Sequence, residues 1–247
     1  MYDALARSFL DLVTGSTCLA CGTGGPLVCE ECLRGLPSTA TPAWPTPCPP
    51  GLVTPWATGS YDGLLRDLVI GHKEHGLLAL RNPLGLLLAL SAAAAVHGPC
   101  PVVLVPVPSR PSSVRARGHD PTYSMVRSAA RHLAAVGVDA VPHRLLAVRA
   151  ALQDQAGLSA EERSANLSGS LWCPSAAVAA LHRRRPRAQV LICDDVLTTG
   201  ATAREAQRAM EAAGLRPQAV ITVAATARRH PAGAAQAAVA DSHGVFR

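Results

Sequence analysis

The chain has 247 residues and a formal net charge of +6, and 49% of its residues are hydrophobic whereas 3% are aromatic. This composition excludes a disordered chain, because such a chain cannot bury enough apolar surface to offset its ordering entropy. The length fits one ordinary domain with a small appendage. The positive charge lies after residue 100, which favours an anionic partner, either a phosphate compound or nucleic acid.

The first 15 residues have the apolar spacing of a short amphipathic helix and no basic region before an apolar stretch, so no secretory signal is expected. The longest apolar run, Leu84 to Val96, has about 13 residues and is predicted to be a buried helix, because a membrane span needs about 20. We therefore expect a cytoplasmic protein with no membrane span, in which paired cysteines indicate metal rather than disulfides.

Two Cys-x-x-Cys pairs, Cys18 with Cys21 and Cys29 with Cys32, are separated by seven residues. Each pair fits a tight turn, and four thiolates suit tetrahedral Zn²⁺. Four protein ligands leave no open coordination position, so the predicted zinc site is structural rather than catalytic. Reduced thiols without metal, or a redox pair, are the alternatives.

The sequence pattern predicts that the chain is divided into three regions. Residues 1–36 hold the predicted helix and the zinc knuckle. Residues 37–55 contain seven prolines and are interpreted as an extended linker. Residues 56–247 form the main domain.

Within the main domain, apolar runs predict buried strands, and helical patterns lie between them. These strands are predicted at 102–107, 190–193 and 219–224, with a possible edge strand at 56–61, and helices are predicted at about 62–70, 83–96, 121–135 and 201–213. Strands that alternate with helices indicate an α/β fold with a mostly parallel sheet flanked by helices.

The turn after strand 190–193 carries the strongest functional signal. Asp194 and Asp195 follow the strand directly, and a turn from Thr198 to Thr202 leads into the next helix. Backbone N–H groups at the beginning of a helix form a phosphate site, to which threonine hydroxyls add donors. The two carboxylates would repel a phosphate unless they bind something neutral or cationic, such as ribose hydroxyls or a Mg²⁺-bound group. An acidic turn with a capping threonine is the alternative.

The pattern Asp-Asp-x-x-Thr-Thr-Gly-x-Thr resembles the 5-phosphoribosyl-1-pyrophosphate (PRPP) loop of type I phosphoribosyltransferases. The segment Leu104-Val-Pro-Val-Pro-Ser-Arg110 is similar to the pyrophosphate loop of the same family. Residues 155–171 resemble the Gln-x-x-Leu…Glu-Arg…Asn segment of ComF-type proteins, and His119-Asp-Pro stands where Phe-Asn-Gln is usual. With the cysteine pairs and the proline-rich stretch, these motifs follow the order of the ComF/GntX family.

The resemblance implies a type I phosphoribosyltransferase-like (Rossmann-like) fold that binds PRPP with Mg²⁺ and transfers or releases its phosphoribosyl group. Asp194 and Asp195 would hold the ribose hydroxyls, and Arg163 would add positive charge from a mobile loop. The remaining PRPP contacts would be Thr198, Thr199, Gly200, Ala201, Thr202, Pro108, Ser109, Arg110 and Lys73.

Lys73 is the one lysine among 23 Lys and Arg residues, and the alternative for it is an ordinary surface cation. The acceptor of the phosphoribosyl group is not identified by any motif. The alternative function is a non-catalytic factor of the DNA-uptake (competence) machinery that uses the PRPP site as a sensor and handles single-stranded DNA.

Overall fold

The structure, a computed structural model, describes residues 17–109, 111–149 and 169–226. The helix predicted within residues 1–15 lies outside the described residues, as do Arg110, Arg163 and most of segment 155–171. The statements below concern the described part of the chain.

A mostly parallel sheet forms the centre of the described structure. In chain order the strands are β1 (Thr41–Pro42), β2 (Pro55–Ser60), β3 (Val102–Pro106), β4 (Ala140–Pro142), β5 (Ala147–Val148), β6 (Leu171–Trp172), β7 (Gln189–Cys193), β8 (Val196–Leu197) and β9 (Ala219–Ala225). The main sheet has the order β1-β2-β9-β7-β3-β4, with β8 also paired to β9, and only β1 is antiparallel to its neighbour. Strands β5 and β6 form a separate antiparallel pair. The four predicted strands are thus present, but β2, expected as a possible edge strand, pairs with both β1 and β9 and is not at the edge.

Helices flank both faces of this sheet. They are α1 (Glu30–Arg34), α2 (Gly63–Lys73), α3 (Arg81–Ala95), α4 (Pro111–Arg117), α5 (Pro121–Ala135), α6 (Ser175–Arg184) and α7 (Ala201–Glu211), with a 3-10 turn over Leu78–Leu80. The four predicted main-domain helices are confirmed. Helix α2 continues past residue 70, so Lys73 is its last residue instead of lying after it. Helices α4 and α6 were not expected from the sequence.

Side chains alternate along the central strands between two hydrophobic layers. Leu104 and Leu191 pack in the layer with α2, α3 and α5, whereas Val105 and Ile192 pack in the layer with α6 and α7. The sequences of these strands are continuously apolar because helices cover both faces of the sheet. In the first layer α3 and α5 approach so closely at Gly85 that a Cβ atom there would lie 2.4 Å from Ser128 Cβ.

The most apolar helical segment, Leu78–Ala95, is packed inside this fold. Its 18 residues have a mean hydropathy of 1.5, which by length and composition would allow it to cross a membrane, but half of the segment is buried in the protein. It contacts α5, β2 and β9. Its hydrophobicity is therefore explained by its position as a core helix, which confirms the prediction of a buried helix.

The order of the strands creates a crevice at one edge of the sheet. From β3 the chain passes through α5 to β4 on one side, whereas from β7 it passes through α7 to β9 on the other. Open α/β sheets bind ligands at the carboxyl ends of strands where the direction reverses in this way. The two loops leave this edge together, since Val107 N donates to Cys193 O at 2.8 Å.

The proline-rich segment 37–55 lies along helix α7. Arg204 Nε donates to Pro50 O at 3.0 Å, and Gln207 Nε2 donates to Gly51 O at 2.8 Å. Gln207 also accepts a hydrogen bond from Val53 N at 3.0 Å. Side chains of α7 thus satisfy backbone groups that a proline-rich stretch cannot pair in a regular strand.

Candidate functional site

The four paired cysteines form one cluster. Their Sγ atoms all lie within 4.8 Å of one another, and Cys21 Sγ is 3.7 Å from Cys29 Sγ. A tetrahedral zinc site with Zn–S bonds of about 2.3 Å has S···S edges of about 3.8 Å, so the cluster has the ligand type and approximate spacing of such a site. The four cysteines could therefore hold a metal ion such as zinc, in agreement with the sequence prediction.

Local backbone structure brings the two pairs together. The first pair lies on a turn in which Gly22 N donates to Cys18 O, and Gly22 takes the left-handed φ of 72° that this turn requires. The second pair begins helix α1, where Cys29 precedes the first residue and Cys32 lies in the first turn. Cys29 N donates to Cys18 Sγ at 3.4 Å and links the two pairs.

The cluster shifts the pKa values of its thiols in opposite directions. Burial would raise the pKa of Cys18, but backbone N–H groups of Cys29, Cys21 and Ala20 overcome this and lower the pKa to about 6. The neighbouring Cys29 side chain, followed by burial, raises the pKa of Cys32. Hydrogen bonds from Thr23 lower the pKa of Cys21 as well. The cluster thus favours thiolates at Cys18 and Cys21 and opposes one at Cys32, a conflict that a divalent cation would relieve.

The cysteine cluster packs against the helix that carries Lys73. Leu19, between the first two cysteines, contacts the hydrophobic layer of α2 and α3. A Cβ atom on Gly71 of α2 would lie 3.4 Å from Leu19 Cδ1 and 2.8 Å from Leu80 Cδ1, so this helix has no room for a larger residue at the contact. The cysteine region therefore supports the last turn of α2.

A cavity of about 470 Å³ opens at the crevice between β3 and β7, a volume typical of small-molecule sites. We name it the first cavity. Its lining residues are Tyr61, Val69, Ile70, Lys73, Glu74, Val107, Pro108, Ser109, Ser113, Arg117, Thr122, Asp194, Asp195, Val196, Thr198 and Thr202. Seven of the predicted site residues meet here, from three separate parts of the chain. Thr199, Gly200 and Ala201 belong to the same turn but do not line the cavity.

Backbone N–H groups orient the carboxylates of Asp194 and Asp195, which we call the acidic pair. Asp195 N donates to Asp194 Oδ1 at 2.9 Å, and Val196 N donates to Asp195 Oδ1 at 2.8 Å. Burial, and then repulsion from Asp195, raises the pKa of Asp194 to about 8. The surroundings of Asp194 therefore favour its protonated form at neutral pH.

Lys73 faces this pair. Its Nζ donates to Asp195 Oδ2 at 2.5 Å, and its side chain is 37% exposed. Burial alone would lower the pKa of Lys73, but the charge and hydrogen bond of Asp195 outweigh burial and raise it. The structure thus places the one lysine at the predicted site, as a partner of an acidic residue.

The turn before α7 presents a helix N-terminus at the edge of the cavity. Gly200 is the N-cap residue with a φ of 74°, which allows the sharp change from turn to helix. The first N–H groups of an α-helix have no intrahelical partner, and they carry the positive end of the helix dipole. With the exposed Thr198 hydroxyl beside them, these groups are suited to bind an anion.

Arg117 and Glu74 are cavity residues that sequence reasoning missed. Arg117 Nη2 donates to Glu74 Oε1 at 3.0 Å and to Oε2 at 2.8 Å. The signal in the sequence was the arginine-rich stretch at 115–117, but only the fold shows which of its arginines reaches the cavity. Each of the two cations in the described cavity wall is thus paired with a carboxylate.

A buried histidine joins the last turn of α2 to the beginning of α5. His72 is 2% exposed, and its Nε2 lies 2.9 Å from Ser124 Oγ and 3.2 Å from Pro121 O. Burial lowers the pKa of His72. Asp120 caps α5 by accepting from Tyr123 N at 3.1 Å, so the unusual His119-Asp-Pro sequence forms a helix start.

These features define the protein as a mixed α/β protein with a mostly parallel sheet flanked by helices, an N-terminal cysteine cluster that could hold a metal ion, and a cavity at the carboxyl edge of the sheet. Comparison with protein families and with curated proteins finds no match to this chain.

Proposed function

We propose that the protein is a cytoplasmic phosphoribosyltransferase-like protein of the ComF type, which binds PRPP with Mg²⁺ in the first cavity. One observation carries the proposal. The acidic pair and the Thr/Gly turn after β7 share the first cavity with Pro108 and Ser109 after β3. A PRPP molecule carries a phosphate, a ribose diol and a pyrophosphate, and this cavity offers a separate group of residues for each.

The ribose would lie over the acidic pair. Asp195 would accept a hydrogen bond from a ribose hydroxyl, and Asp194, whose pKa is raised, could donate one or accept one. The ribose must compete with Lys73 for the Asp195 carboxylate, because Lys73 Nζ is bonded to that carboxylate in the structure. Substrate binding would thereby release Lys73 toward the phosphate groups.

The two ends of the substrate would bind at the two loops. The 5-phosphate would accept hydrogen bonds from the N–H groups at the beginning of α7 and from Thr198 and Thr202. The pyrophosphate would lie at Ser109, and Mg²⁺ brought with the substrate would offset its charge. In the transfer, the ribose C1–O bond breaks and pyrophosphate keeps its electron pair, while a lone pair of the acceptor forms the new bond. Fixed donors around the departing charge would lower the barrier.

Calorimetric titration of PRPP with Mg²⁺ tests the proposal. We expect binding to the wild type, and at least tenfold weaker binding to Asp195→Asn. The matched control is Asp139→Asn, whose carboxylate is 60% exposed and pairs with Arg185 outside the first cavity. The control is expected to bind like the wild type. No binding to the wild type would refute the proposal.

A second measurement separates an enzyme from a sensor. If PRPP binds, pyrophosphate release is measured with a panel of nucleobases and amines as acceptors. Release that depends on one acceptor would support the transferase. Tight binding without release for any acceptor would favour the sensor function instead.

A further inference from the structure

A second cavity of about 460 Å³ lies on the face of the sheet that α6 and α7 cover. It is bounded by β6 and by helices α6 and α7, and it shares no lining residue with the first cavity. The proposed function assigns it no ligand. Its volume again falls within the range of small-molecule sites.

The cavity exists because the two helices face each other with small side chains. Helix α6 contributes Ser175, Val178, Ala179 and His182, the i, i+3, i+4, i+7 spacing of one helix face. On the other side are Arg208 and Ala209 of α7, with Ala212 and Ala213 directly after the end of that helix. Methyl groups on both sides leave the space between the helices unfilled and give it flat apolar walls.

Positive groups surround these apolar walls. Arg149, His182 and Arg208 line the cavity, and no carboxylate is among its lining residues in the described chain.

Arg208 is fixed in place at this wall. Its Nε donates to Glu205 Oε2 at 2.6 Å, and its Nη2 donates to Leu171 O at 3.0 Å. Its Nη1 has no hydrogen-bond partner among the described residues. Arg149, unlike Arg208, is exposed and has no acidic partner among the described residues. The cavity therefore suits a ligand that carries negative charge.

Trp172 adds an aromatic surface. It lines the cavity and is 41% exposed, although such a large apolar ring is usually well buried. An indole face beside positive groups is the combination that binds nucleobases by stacking and their phosphates by charge. No sequence pattern indicated this combination, because Trp172 lies ten residues before His182 and within no basic run.

We propose that the second cavity binds a planar aromatic anion of the nucleoside monophosphate class. The base packs between the Trp172 indole and the alanine wall of α7, and the phosphate is bound by Arg149 and Arg208. This inference does not rest on PRPP binding in the first cavity.

The test is titration with adenosine monophosphate, followed by calorimetry and tryptophan fluorescence. We expect saturable binding that is at least fivefold weaker in Trp172→Leu and in Arg149→Gln. Adenosine alone and inorganic phosphate alone should each bind more weakly than the monophosphate. Arg149 is exposed, so we expect Arg149→Gln to fold. This variant therefore still tests the proposal if Trp172→Leu fails to fold.

Asp195→Asn separates the two cavities. Unchanged binding of adenosine monophosphate in this variant supports the second cavity, whatever the result for PRPP. Binding that is lost in Asp195→Asn but retained in Trp172→Leu and Arg149→Gln would place the nucleotide in the first cavity and overturn the proposal. Absence of binding to the wild type would also overturn it, as would much tighter binding of a single-stranded oligonucleotide.

Discussion

Gly200 is the position at which the geometry of the turn before α7 can be tested most directly. It has a φ of 74°, and a Cβ atom there would lie 3.1 Å from Pro45 Cγ and 3.3 Å from Pro49 Cδ and Leu52 Cδ2. Gly200→Ala therefore introduces both a strained backbone and close contacts with the proline-rich segment. These two effects can be separated, because Gly214 follows the same helix with a φ of 78°, and a Cβ atom at that position would have nothing within 4 Å.

The expected magnitudes follow from these contacts. An alanine in the left-handed region costs about 1–2 kcal/mol of folding free energy, and this cost applies to both variants. Replacing glycine with alanine also lowers the conformational entropy of the unfolded chain. This effect is the same in both variants, so it cancels when their stabilities are compared. Overpacking adds about 1–3 kcal/mol for Gly200→Ala alone. We expect Gly200→Ala to be less stable than Gly214→Ala by about this amount.

Urea unfolding, followed by circular dichroism, measures both variants against the wild type. Equal m-values would show that the difference in midpoint reports stability. Equal destabilisation by the two substitutions would refute the reasoning, because it would mean that the proline-rich segment does not pack on Gly200. In a double-mutant cycle, Gly200→Ala should cost less in a Leu52→Ala background than in the wild type, because the truncated side chain makes room for the new methyl group.

Two further predictions concern charge and metal. Asp194 keeps its proton in the folded state up to about pH 8 but loses it near pH 4 when unfolded, so it makes stability fall as pH rises across this window. Asp194→Asn should flatten the pH dependence measured by urea unfolding, and an unchanged slope would contradict the raised pKa. Cys32→Ser should lose bound zinc, measured by mass spectrometry, and lower the thermal midpoint by more than about 5 °C. The exposed Cys48→Ser is the control that should change neither.

The sequence predicted the elements of this fold well where one physical rule dominates. Continuous apolar runs at β3, β7 and β9 indicated strands buried on both faces, and the sheet confirms this. The spacing of four cysteines predicted a cluster because short loops between the members of each pair leave little freedom. The end of α2 was harder to predict, because Gly71 lowers helix propensity locally. The absence of a side chain at Gly71 allows Leu19 and Leu80 to pack against the helix.

Contacts between distant parts of the chain could not be predicted. Lys73 and Asp195 are 122 residues apart, and neither local pattern specifies the other as a partner. Likewise, the pairing of Arg117 with Glu74 depends on where α4 lies relative to α2. The order of the strands brings these charges together, and local sequence patterns do not determine that order.

The position of β9 has a consequence for how the first cavity is assembled. Strand β9 lies between β2, which leads to Lys73, and β7, which leads to Asp195. It is also the last of the described strands to leave the ribosome. Until residues 219–225 are synthesised, β2 has no parallel partner, and the two sides of the cavity cannot be held in register. The first cavity is therefore completed only after β9 has been synthesised, and a nascent chain that stalls before β9 would have both loops but no cavity.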